Sequence, residues 1–64
     1  MEILQTIRVV IVDDHELLRG GIRFALLAAH DITVVGEARS GGEALAVCLE
    51  LQPDVVLMDM RLPA

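Results

Sequence analysis

Asp13 and Asp14 stand side by side directly after the apolar run Val9-Val10-Ile11-Val12, and Asp59 closes a second apolar run, Val55-Val56-Leu57-Met58. Adjacent carboxylates repel, and the end of a buried strand is a costly place to leave them without a counter-charge. Three oxygen-bearing side chains at strand ends suit a hard divalent cation, most simply Mg²⁺ retaining some of its waters. Such an ion would relieve the repulsion. It would also leave one carboxylate able to attack a phosphoryl donor while charge on the transferred group is neutralised. Plainer readings exist for two of the acids taken singly: Asp14 can cap a following helix, and Asp13 can simply mark the strand end. Asp59 has no such reading, because Met60-Arg61-Leu62-Pro63 does not open a helix. The triple is more specific than its parts.

The elements that must position these acids alternate along the chain. Residues 8–13 carry a continuous β-branched apolar run between Arg8 and Asp13, as in a strand buried on both faces. From His15 to about Ala29, Leu18, Ile22, Ala25 and Ala29 fall at helical spacing, with Leu17, Phe24, Leu26 and Leu27 widening the apolar face. Arg19 and Arg23 are expected on the solvent side of this helix, with Glu16 near its positive dipole end. Gly20 and Gly21 each weaken it by about 1 kcal/mol relative to Ala, so packing must hold it. Residues 32–38 read as a second, more polar strand at a sheet edge. Ser40-Gly41-Gly42-Glu43 fits a capping box, and Ala44, Val47, Cys48 and Leu51 continue a helix until Pro53 stops it. Residues 54–59 form a third buried strand.

Strand, helix, strand, helix, strand implies parallel strands joined by right-handed crossovers. Two wholly apolar strands need helices on both faces, which requires the strand order 2-1-3. The expected fold class is therefore α/β, a partial doubly wound parallel sheet. Ligands in such sheets bind at the carboxyl ends of strands beside the reversal of order, where Asp13, Asp14 and Asp59 converge.

These residues resemble the receiver domain of two-component response regulators. The likeness rests on VVIVDD with its acidic pair, on VVLMD ending in Asp59, and on Leu62-Pro63 shortly after. DDHELLRGGI and GEARSGGEAL are similar to the subfamily whose receivers precede a helix-turn-helix DNA-binding module. The resemblance runs from Arg8 to Pro63. It implies a receiver, or flavodoxin-like, fold in which Asp59 is the phosphoacceptor, taking a phosphoryl group from a sensor histidine kinase. It implies that Asp13, Asp14 and Asp59 hold Mg²⁺, with the main-chain carbonyl of Arg61 as a further ligand. A phosphoacceptor rather than an enzyme is expected. The family's fourth strand ends in a Ser or Thr and its fifth in a Lys that pairs with the phosphoryl group. Neither strand is present and the chain has no lysine, so residues 1–64 are expected to be a truncated receiver of three strands and two helices.

Composition narrows the partners. Fifty-five per cent of the 64 residues are apolar and Phe24 is the only aromatic, giving an aliphatic core. A net charge of −5 argues against direct contact with nucleic acid or an anionic membrane, so DNA is expected only through a further module. Cys48 is alone and falls on a helix core stripe, without a disulfide partner or an activating neighbour. No apolar run approaches a membrane span and Glu2 does not suit a secretion signal, so a cytoplasmic location is expected. His15 is read as pointing to solvent, His30 as a favourable contact at a helix end, Met58 as core filling, and the Arg61 side chain as solvated. A phosphohydrolase with an Asp nucleophile would need a second Asp two residues on, where Arg61 and His15 stand. A dinucleotide-binding enzyme would want glycines where Asp-Asp-His-Glu follows the first strand. The remaining alternative is a non-catalytic interaction fragment that titrates a kinase or a full-length regulator. In either case the outer edge of the third strand is expected to promote homo-oligomerisation.

Overall fold

Val9, Val10, Ile11 and Val12 are at most 3% exposed, the burial of a strand flanked on both sides and covered on both faces. The computed structural model describes residues 5–59, which form β1 (Ile7–Val12), α1 (Glu16–Leu26), β2 (Ile32–Ala38), α2 (Gly41–Leu51) and β3 (Val55–Met58). All pairings are parallel and the order is β2-β1-β3, as the two-faced burial of β1 requires. Right-handed crossovers in this order place α1 and α2 on opposite faces.

The face under α2 is built from Val10, Val12, Ala38 and Ala44, with Val35, Val47 and Cys48 packed against them. Gly36 makes that packing possible. A β-carbon there would lie 2.7 Å from Leu51 Cδ1 and 3.1 Å from Val47 Cγ1. Its backbone is not left-handed, so the requirement is for space rather than for conformational freedom. Just before it the register jumps, Val9 pairing with Val34 but Val10 with Gly36, leaving Val35 as the extra residue of a bulge.

α2 begins as its capping residues dictate. Ser40 Oγ accepts the Glu43 N–H at 3.2 Å. Glu43 Oε1 in turn accepts the N–H of Arg39 at 2.6 Å, one residue earlier than the reciprocal bond of a standard box. At the far end Gln52 turns left-handed at φ 49° and donates its N–H to the Cys48 carbonyl at 2.8 Å, and Pro53 prevents continuation.

α1 departs from the sequence expectation in phase and length. Its inward stripe is Arg19, Ile22, Leu26 and Ala29, not Leu18, Ile22, Ala25 and Ala29; Leu17, Phe24 and Leu27 are exposed. Arg19, expected in solvent, is buried. Beyond Leu26 the chain tightens into i→i−3 bonds, Leu27 to Phe24 and Ala29 to Leu26, so the α-helix stops short of Ala29. β3 also differs: Val55 to Met58 are 39–48% exposed rather than buried. It pairs with β1 along one edge, and no strand among the described residues pairs with the other.

Candidate functional site

The register of β1 and β3 assembles the acids. Val9 pairs with Val55 and Val12 with Met58, so Asp13 and Asp59 leave the sheet at the same level. Ligand atoms of Asp13, Asp14, His15 and Asp59 all lie within 4.8 Å of one another. The structure thus brings together the three acids singled out in the sequence. Arg61, with Leu62 and Pro63, lies outside the described residues.

Asp13 is 4% exposed and firmly held. Its N–H donates to the Ala38 carbonyl at 3.0 Å, and its carbonyl accepts Arg19 Nη1 at 2.7 Å. Its Oδ1 accepts the His15 N–H at 2.7 Å, an Asx-type turn that ends β1 and aims the chain into α1. Asp14 does not cap α1, the plainer of its two readings. His15 occupies the N-cap position and no side chain caps the helix, so the Asp14 carboxylate stays with the acidic group. His15 points largely to solvent, as expected, yet also touches the acids. Its ring is largely exposed, but Nδ1 leans over the acids, 2.9 Å from Asp14 Oδ1 and 3.3 Å from Asp13 Oδ1. An imidazole there supplies a hydrogen bond and, when protonated, positive charge.

An open cleft of about 480 Å³ adjoins the group, with Asp13 and Asp59 on its rim beside Leu18, Ile22, Leu57 and Met58. Its apolar walls strengthen electrostatic contacts at the acids relative to open water. Residues the sequence reading did not assign to the site support it from β2. Glu37 Oε1 accepts Arg19 Nε at 2.9 Å, and Oε2 accepts Arg23 Nη1. Burial pushes the Glu37 carboxyl up, but the hydrogen bonds and positive charges of Arg23 and Arg19 outweigh it and hold the group below its ordinary value. Position 19 is in phase with Ile22, Leu26 and Ala29, but the apolar residues around α1 fit the Leu18, Ile22, Ala25 phase equally well, so the sequence alone does not turn Arg19 inward.

The sequence pattern of the response regulator receiver domain matches residues 9–64. The chain belongs to this family of two-component signalling domains. It is 52% identical over 56 residues to the uncharacterised transcriptional regulatory protein YhcZ of Bacillus subtilis (strain 168), covering 88% of this chain and 26% of that protein. It is 54% identical over 55 residues to the response regulator VraR of Staphylococcus aureus, covering 86% of this chain and 26% of VraR. The chain therefore spans about a quarter of these relatives' length. Among solved structures, the signal receiver domain of a NarL response regulator from Mycobacterium tuberculosis superposes with a TM-score of 0.88 at 43% identity, covering 94% of this chain and 48% of that one. No helix of the described residues is long and apolar enough to cross a membrane.

Proposed function

We propose that the chain is the phosphoacceptor portion of a response regulator, that Asp59 receives the phosphoryl group from a sensor histidine kinase, and that Mg²⁺ bound at the acids assists. The observation that carries this reading is the convergence of Asp13, Asp14 and Asp59 from two paired strand ends to within 4.8 Å. All the donors there are carboxylates apart from the ring of His15, a set that fits a hard divalent cation. Asp13, Asp14 and Asp59 would hold the ion, joined by the Arg61 carbonyl. When bound, the ion would neutralise charge on the phosphoryl oxygens.

In the transfer a carboxylate oxygen of Asp59 attacks phosphorus of the kinase's phosphohistidine. The P–O bond forms as the P–N bond breaks, and the departing imidazole takes a proton from water. Asp13, buried and hydrogen-bonded, fixes the geometry while the more exposed Asp14 meets solvent. Nothing in this chemistry requires turnover, so the role is that of an acceptor, not an enzyme. The transcriptional regulators among its relatives favour a parent protein that binds DNA through another module, a role suited to the cytoplasm.

A second reading, a non-catalytic fragment that self-associates or titrates a kinase or full-length regulator, is favoured by one observation. β3 offers half-exposed Val55, Val56, Leu57 and Met58 beside an edge unpaired among the described residues. Mg²⁺ titration followed by NMR tests the acceptor reading. The amides of Asp13, Asp14 and Asp59 should shift first, with an affinity of about millimolar, as expected for an open site. Shifts confined to Glu43 and Glu50 would remove the assignment.

A further inference from the structure

Arg19 is a charged side chain only 9% exposed on a helix whose other inward positions are aliphatic. Desolvating a guanidinium is expensive, and an aliphatic residue would pack there without that cost, so stability alone does not explain it. Its fork spans two elements. Nη1 donates to the Asp13 carbonyl at 2.7 Å, and Nε donates to Glu37 Oε1 at 2.9 Å. With the Asp13 N–H already bonded to Ala38, every polar main-chain atom of Asp13 is fixed.

A bare guanidinium this near Asp13 would compete with a divalent cation for the same carboxylates. Glu37, shared with Arg23, offsets part of that charge and, by taking Nε, turns Nη1 onto the carbonyl instead. Arg23 occupies the other Glu37 oxygen and holds the acid in place.

We infer that Arg19, oriented by Glu37, is a positioning residue for the metal site. It sets the peptide plane between Asp13 and Asp14, and so aims the Asp14 carboxylate at the ion. This rests on the reading of the acids as a Mg²⁺ site. Loss of a partner that orients a ligand in this way typically costs about 10–100-fold in metal affinity.

Mg²⁺ titrations of the full chain, read at the Asp14 and Asp59 amides, test it on wild type, Arg19→Lys, Glu37→Gln and Gly36→Ala. Lysine keeps the charge but cannot span both partners. Glutamine keeps the shape of Glu37 but removes the balancing charge. Gly36→Ala loosens the fold under α2, away from the acids, and so controls for stability. Arg19→Lys and Glu37→Gln should each weaken Mg²⁺ binding by at least about tenfold in folded molecules, whereas Gly36→Ala should stay within about twofold of wild type. The Asp14 amide should be displaced in both site variants before metal is added. Should Arg19→Lys fail to fold, Glu37→Gln, whose side chain is only partly buried, carries the decision. Wild-type affinity in a folded Arg19→Lys or Glu37→Gln chain overturns the inference while leaving the metal site intact. A wild-type chain that binds no Mg²⁺ at the acids overturns both.

Discussion

The Asp59 N–H donates to the carbonyl oxygen of Val12 at 3.1 Å, carrying the β1–β3 ladder one residue past the end of β3. That bond fixes the level of Asp59 against Asp13, the residue after Val12. A slip of one residue would turn Asp59 to the other face of the sheet. The geometry of the acidic group is therefore a property of the β1–β3 register.

Gly36→Ala tests a separate feature, the packing of α2 on β2. Its added methyl would meet Leu51 and Val47 well inside van der Waals contact, so α2 must shift or the bulge must relax. A loss of about 1–3 kcal/mol is expected from denaturant midpoints. Unchanged stability would mean that α2 does not press on β2 as described.

Glu37 gives the fold a pH dependence of definite sign. Its carboxyl is held below the ordinary value, so the folded chain binds its proton less readily than the unfolded chain does. The resulting stability is complete above the ordinary carboxylate range and is lost as pH falls through that range to the lowered folded value. Glu37→Gln should cost about 1 kcal/mol near neutral pH, kept modest by the solvent exposure of Arg23. The gap between wild type and variant should close on acidification. A gap that widens instead would reverse the assignment.

The proposed self-association would use the β3 edge. Two copies related by a two-fold axis could join their third strands antiparallel and cover the half-exposed Val55 to Met58. Sedimentation equilibrium should show wild-type association at micromolar concentration. Val56→Lys should weaken it by at least about tenfold, or ~1.4 kcal/mol, and reduce stability as well. A folded wild-type monomer whose unfolding is independent of concentration would contradict this.

The order of elements and the sheet topology were legible because they follow from long-range pattern. The continuous apolar run at Val9 to Val12 demands two covered faces, and order 2-1-3 provides them. The convergence of Asp13, Asp14 and Asp59 came with that topology. Less legible was whatever depends on one side chain's neighbours. The apolar residues of α1 surround most of its circumference, so Leu18 and Ala25 fitted an inward stripe as well as Leu26 did. The actual phase is fixed by Arg19 reaching Asp13 and Glu37, a contact 18 residues apart in sequence on its longer arm. Asp14 looked like a cap because its residue type suits one. The turn instead uses Asp13 Oδ1 on the His15 N–H, which moves the cap position on by one. The exposure of β3 was hidden because its composition matches that of β1, and burial depends on what lies beside a strand.

The proposed chemistry has Asp59 accept a phosphoryl group with the help of the two acids beside it. Its most direct test is incubation of the chain with a small phosphoryl donor and Mg²⁺, followed by mass mapping of the modified residue. A single phosphoryl group on Asp59 is expected, abolished in Asp59→Asn and strongly reduced in Asp13→Asn or without the metal. Equal labelling of Asp59→Asn, or labelling indifferent to Mg²⁺ and to Asp13, would contradict the account.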